Sequence, residues 1–252
     1  SIAVYVEKEA QFKNSGKVTS EEASSKSIGI FADKGKVTNA LNATIESKNV
    51  AIYAKTSSTV DNAGKIDIVD GSGIVATDKT TVNLQASGKI NSATNKANAV
   101  IATNKTIVNL SGTNISLTGD KSTAIYSDNN STVNLTSGDV TIGQEGLGLY
   151  TNNGTVNLGN DSVFAYSDNT GVMTNNTKLV ATGSNNYGLY SGGTVRNLAD
   201  INFGTGIGNV GIYSIKGGTI ENRTGVITVG GSVPGEDEYG IGMAAGYTWT
   251  KK

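Results

Sequence analysis

A parallel β-helix with three short strands per coil is the fold this sequence predicts, and three observations predict it. The first is a four-residue phrase that recurs along the whole chain: a small residue, an aliphatic, a large apolar residue, another small one. Its copies start at residues 3, 29, 51, 73, 99, 124, 148, 171, 188, 211 and 240, spaced 26, 22, 22, 26, 25, 24, 23, 17, 23 and 29 apart. A period in the twenties is the signature of a solenoid. The second observation is that two more short apolar stretches lie between successive copies. The third is composition: 33 Gly, 28 Asn and a single proline, with Val, Ile, Thr and Tyr in short runs and no long segment of helical period. That mixture suits many short strands joined by Gly and Asn turns.

The first strand of each coil is the phrase itself, as in Gly29-Ile30-Phe31-Ala32, Ala51-Ile52-Tyr53-Ala54 and Ala124-Ile125-Tyr126-Ser127. The second is Thr-Val-Asn-Leu or a relative, as at Thr81-Val82-Asn83-Leu84 and Thr132-Val133-Asn134-Leu135. Val and Leu alternate there with Asn, which gives one apolar and one polar face. On that face Asn134→Asp is expected to be nearly silent. The third strand follows Gly-Lys-Val or Gly-Lys-Ile, as at Gly16-Lys17-Val18 and Gly88-Lys89-Ile90. Each strand then pairs with its equivalent one coil away, and about ten coils at about 4.8 Å make a rod roughly 50 Å long. The 17-residue interval from Gly171 to Gly188 predicts the tightest coil, and the last interval predicts an outward loop at about residues 230–238.

A Val-x-Asn variant of the second strand occurs at Val37-Thr38-Asn39, Val60-Asp61-Asn62, Val195-Arg196-Asn197 and Ile220-Glu221-Asn222. Alternation turns these asparagines the same way as the valines, so they read as a turn or an inner Asn stack rather than a ligand site. The same register sets Arg196 one coil from Glu221.

Position two of the phrase is aliphatic in every copy, and position three is Tyr or Phe in seven. Adjacent strand residues point to opposite faces, so the aliphatic column is expected inside and the aromatic column outside. An outward aromatic ladder stabilises a rod in the first instance. Its functional reading is a partner-binding stripe of Tyr53, Tyr126, Tyr150, Tyr190 and Tyr213.

The chemistry available is narrow. The chain has no histidine and no cysteine, which removes His-based triads, His zinc sites and thiolate sites. Its net charge is −1 and it holds only two arginines, which argues against a nucleic-acid face. Neither cofactor nor metal is expected, and no phosphate-loop or calcium-nonapeptide motif is found. Carboxylate pairs remain for glycosidase chemistry, which needs them about 5–10 Å apart. The candidates are Asp67 with Asp70 and the run Glu236-Asp237-Glu238. No apolar run approaches the roughly 20 residues of a membrane helix. Residues 1–252 read as one β-helix segment without signal peptide or membrane barrel, and both ends look cut from a longer protein.

The Gly-Ile-Tyr-Ala and Thr-Val-Asn-Leu phrases resemble the passenger regions of type V autotransporters, above all the very large outer-membrane adhesins of fusobacteria. The resemblance spans the whole chain. It implies a right-handed β-helix, export across two membranes and display at the bacterial cell surface. It fixes no catalytic residues. The function it implies is a non-enzymatic adhesin segment that mediates or supports attachment. The partner would be a host cell-surface glycan, a protein receptor, or another bacterium's surface. The alternative of a different class is a carbohydrate-active β-helix enzyme, a polysaccharide hydrolase or lyase. Scattered acids favour the first and one concave carboxylate cluster the second.

Overall fold

The computed structural model describes residues 1–20, 27–152, 155–158, 165–167, 172–175, 179–180, 183–191, 194–214, 217–233, 235 and 238–246. The described residues hold 28 β-strands and no α-helix, and all strand-to-strand pairings are parallel. The chain winds as a parallel β-helix with three faces.

The first face is one sheet of eleven strands. They are Ile2–Glu7, Ile28–Asp33, Val50–Lys55, Ser72–Ala76, Asn98–Ala102, Thr123–Asp128, Leu147–Asn152, Ala165–Ser167, Tyr187–Ser191, Val210–Ser214 and Ile241–Ala245. The second face begins with Gln11–Asn14, Lys36–Asn39, Thr59–Asn62 and Thr81–Leu84, and the third with Lys17–Ser20, Thr44–Ser47, Lys65–Ile68 and Lys89–Ser92. Two long strands, Ile107–Leu117 and Thr132–Ile142, turn the corner between these faces without leaving the ladder. The register shifts there around Ser111, and Gly112 takes a φ of 84° that L-residues rarely adopt.

Phrase position two faces inward in the second to seventh, ninth and tenth copies. Ile30, Ile52, Ile74, Val100, Ile125, Leu149, Leu189 and Ile212 are all buried. Val37, Val60, Val82, Val108 and Val133 form the inner column of the second face, and Ile45, Ile66, Ile90 and Ile115 that of the third. Each such side chain contributes roughly 1.5–3 kcal/mol by leaving water. Position one is small for a reason alternation alone does not supply. The strand bends there, so Ala51 and Ala99 are buried beside Ile52 and Val100. A Cβ on Gly73 would lie 2.7 Å from the Ala99 carbonyl oxygen. Position four is also inward and small, as Ala32, Ala54, Ala76 and Ala102 show.

The Val-x-Asn asparagines do form an inner stack. Asn14 donates to Asn39 Oδ1 at 2.9 Å, Asn39 donates to Asn62 Oδ1 at 2.8 Å, and all three are buried. Leucine replaces asparagine at Leu84 and Leu110 in the same column. The amide stack resumes with Asn197 donating to Asn222 at 2.8 Å.

Three expectations need correcting. The unbroken second face ends with Thr155–Leu158 as its seventh strand, so the regular stack runs to about seven turns rather than ten. Beyond it, among the described residues, the second and third faces form separate three-stranded sheets, Val172–Asn175 with Thr194–Asn197 and Thr219–Asn222, and Leu179–Val180 with Ile201–Phe203 and Ile227–Val229.

The eighth phrase is a false copy. Met173 pairs with Val195 and Asn175 with Asn197, so Met173-Thr174-Asn175 is a Val-x-Asn strand carrying Met at the Val position. Ala165–Ser167 occupies the first face instead. Leu149 pairs with Ala165 and Ala165 with Leu189, so the first face advances here by 16 and 24 residues rather than by 17. Gly171 lies outside the described residues.

The last phrase is displaced by two residues. Met243, not Ile241, stands opposite Ile212, and Ile241 stands opposite Val210. The stretch before it contains an antiparallel bridge between Val233 and Glu238, where the outward loop was expected. Pro234, Glu236 and Asp237 lie outside the described residues.

Candidate functional site

The outward column of the first face is the feature with functional potential. After the bend at position one, alternation sends position three to the surface. Register places Tyr5, Phe31, Tyr53, Val75, Ile101, Tyr126, Tyr150, Tyr166, Tyr190 and Tyr213 in one line along the rod. Neighbouring rings stack nearly parallel. Centroids are 5.1 Å apart for Tyr5–Phe31, 5.5 Å for Phe31–Tyr53, 5.2 Å for Tyr126–Tyr150 and 5.0 Å for Tyr190–Tyr213. The angles between planes are 7°, 3°, 10° and 21° in the same order.

This geometry decides what the column presents. Rings stacked coil on coil spend their faces on one another. Solvent meets ring edges and phenolic hydroxyls. Tyr53, Tyr126, Tyr150 and Tyr190 are half-buried, while Tyr213 keeps only 7% of its surface exposed. Tyr187 explains part of that cover, since its ring stands edge-on to Tyr213 at 6.1 Å and to Tyr190 at 5.8 Å. The five tyrosines of the expected stripe therefore share one line but not one degree of access. Tyr166 and Tyr187 were missed at the sequence level. Phe164 stands where a small residue opens every other copy, which hid Tyr166, and Tyr187 precedes its phrase rather than belonging to it.

The column is interrupted once. Tyr53 and Tyr126 bracket Val75 and Ile101, so one face of each of these two rings looks along the rod over an aliphatic floor. The Tyr126 hydroxyl donates to Asp128 Oδ2 at 3.2 Å. Burial, and then the Asp128 charge, push the Tyr126 phenol above its ordinary value. Burial does the same to Tyr187 and Tyr190, with the neighbouring Tyr213 adding to it.

Beside the interruption, the corner between the first and second faces carries a shallow groove of about 440 Å³. Thr56, Ser57, Asp78, Lys79, Asn104, Lys105, Asn129 and Asn130 line it, and all eight have positive φ. Their turns stack through the backbone, Lys79 N–H donating to the Asn104 carbonyl and Lys105 N–H to the Asn129 carbonyl, both at 3.0 Å. Side chains follow: Asn104 donates to Asp78 Oδ1 and to Thr77 Oγ1, each at 3.2 Å, and Thr103 donates to Thr77 Oγ1 at 2.9 Å.

The carboxylate candidates are placed differently. Asp67 faces outward on the third face, 2.7 Å from Lys65 Nζ and 3.3 Å from the Asn91 amide that donates to it. Asp70 is exposed in the turn that follows. Glu238 accepts from the Asn185 amide at 3.1 Å. Glu236 and Asp237 lie outside the described residues. Arg196 does meet Glu221, Nε to Oε2 at 2.9 Å, and Arg223 joins them at 2.9 Å. The Arg196 hydrogen bond, ahead of the guanidinium charges, holds the Glu221 carboxyl below its ordinary value. Among the described residues no three His, Cys, Asp or Glu side chains gather as a metal site. No family model, curated protein or solved structure matches the chain.

Proposed function

We propose that this chain is a non-enzymatic passenger segment of a surface-displayed bacterial autotransporter adhesin, and that it serves attachment to host cells or to other bacteria. The observation that carries the reading is the aromatic line on the first face. It keeps one register across the sheet, and its edges and hydroxyls form a long strip rather than a pocket. Tyrosine combines apolar area with a polar tip, which suits contact surfaces. The likeness of the repeated phrases to autotransporter passengers supports the surface location, and the spread of carboxylates over separate faces supports attachment over hydrolysis.

The test is binding of the purified chain to host epithelial cells and to bacterial cells, with and without Tyr126→Ser and Tyr150→Ser together. Loss of binding by a variant that still melts cooperatively supports the strip. Unchanged binding by such a variant overturns it. No binding by the unaltered chain points to a spacer. Cleavage of a polysaccharide that disappears on Asp67→Asn overturns the non-enzymatic reading.

A further inference from the structure

We propose that the interruption of the aromatic column at Val75 and Ile101 is a binding site for an acidic saccharide. The inference rests on the reading of the rod as an attachment segment and names the ligand that one part of it takes. Tyr5 and Phe31, and Tyr190 and Tyr213, lie ring on ring, whereas among the described residues Tyr53 stacks only on Phe31 and Tyr126 only on Tyr150. Their other faces look at each other across two aliphatic positions. Three inter-strand steps of about 4.8 Å set these planes roughly 14 Å apart. Subtracting the half-thickness of each ring leaves about 11 Å between their surfaces. Val75 and Ile101 are shorter than tyrosine, so they form a floor between two aromatic walls.

A pyranose ring offers one apolar face of C–H bonds and a rim of hydroxyls. The notch offers the complement. Each wall takes one sugar face, and the width admits two rings. The hydroxyls meet polar groups on the side where the corner groove runs. There Thr103 donates to Thr77, and Asn104 gives its two amide hydrogens to Thr77 and Asp78, which leaves the Thr77 hydroxyl hydrogen and carboxylate lone pairs of Asp78 for a ligand.

Charge selects among saccharides. Lys79 and Lys105 stand at equivalent turn positions one coil apart, each four residues after Val75 or Ile101, in the groove that Asp78 also lines. Neither is within ion-pair distance of a carboxylate among the described residues. Two like charges stacked at this spacing favour an anion between them. Asp128 at the far wall is engaged by the Tyr126 hydroxyl, and its charge directs the ligand's acid toward the lysines.

Calorimetry and saturation-transfer NMR on the full chain test this, with sialyllactose and tetragalacturonate as probes and lactose as the neutral control. At least one acidic probe should bind, with lactose weaker by about fivefold or more. The double substitution Val75→Tyr and Ile101→Tyr completes the column. It should leave the melting temperature unchanged or raised and weaken acidic binding by about tenfold or more. Lys79→Gln with Lys105→Gln should bring the acidic probe down to the level of lactose. Undiminished binding by the filled variant overturns the site. So does a chain that adheres to cells but takes neither acidic probe, and that result leaves the attachment function standing.

Discussion

Asn83 donates its side-chain amide to Asp61 Oδ1 across 2.7 Å, and this one contact orients a whole line of amides on the outside of the second face. A carboxylate only accepts, so Asn83 must turn its NH₂ toward Asp61 and its oxygen away. Asn109 then donates to Asn83 at 2.8 Å, and Asn134 donates to Asn109 at 2.8 Å. Lys36 anchors the other side of Asp61 at 3.0 Å.

The direction of that line predicts the effect of a single added acceptor. Asn109→Asp sets a carboxylate against Asn83 Oδ1 and should cost about 1–3 kcal/mol. Adding Asp61→Asn frees the line to reverse and should recover part of the loss, less the small contribution of the Lys36 pair. Urea unfolding of the two single variants and the double gives the coupling. Additive losses would refute the directional line. For the same reason Asn134→Asp is not the silent change that its polar face alone predicts, because it opposes Asn109 Oδ1.

The facing of the first-face strands predicts a contrast between two positions. Ile125 is fully buried between Val100 and Leu149, whereas Ile101 lies in the outward column. Ile125→Asp buries an unpaired carboxylate and should lose at least ~3 kcal/mol. Ile101→Asp should lose less than about 1 kcal/mol, as a surface change does. Equal melting shifts would invert the assignment.

Gly73 and Ala99 occupy the same inward position one coil apart. A Cβ on Gly73 meets the Ala99 carbonyl at 2.7 Å, with Ile68 Cδ1 at 3.2 Å behind it. Gly73→Val should therefore cost about 1–3 kcal/mol or more through overpacking, read as a lowered melting temperature. A neutral result would mean the bend at position one yields easily.

Stability should hold level through the neutral range, since no histidine or cysteine titrates there. Asp33, through its Lys55 hydrogen bond above all, and Glu221, through Arg196, have folded values below their unfolded ones. Their contribution is present above the unfolded carboxylate value and is lost as pH falls through the folded one. The melting temperature should drop below about pH 4, and less so in a variant carrying Asp33→Asn and Glu221→Gln. Tyr126, Tyr187 and Tyr190 have raised values. Their share is complete below the unfolded value near pH 10 and is lost as pH rises through the folded one. Absorbance at the phenolate band should show a late titrating group of tyrosines that merges with the rest on unfolding.

The parallel β-helix was legible because its signal is repeated. Val37, Val60, Val82, Val108 and Val133 each sit in a similar four-residue setting, and the register follows by alignment alone. The inward facing of Asn39 and Asn62 followed from the same alternation, whereas Asn14, which stacks on Asn39, follows Phe12 rather than a valine and gave no such signal. What misled was resemblance in a short phrase. Gly171-Val172-Met173-Thr174 satisfies the first-face pattern, and yet Val172–Asn175 is a second-face strand, because four residues carry no record of which corner precedes them. Composition hid the difference between ring edges and ring faces too, since that depends on spacing between coils. The notch at Val75 and Ile101 stands in the sequence as two missing aromatics, but its meaning needs the rings on either side to be parallel.

The seam after Leu158 divides the rod mechanically. Up to that strand the second face is one continuous ladder; past it, among the described residues, Val172–Asn175 packs against Thr155–Leu158 but belongs to a separate three-stranded sheet, while the first-face sheet runs through. A chain pulled by its ends gives up strands in sequence, and each coil of about 24 residues pays out roughly 80 Å of length. Tension on such a rod should peel it in two cooperative blocks that meet at the seam, so the molecule yields by lengthening in steps before it lets go.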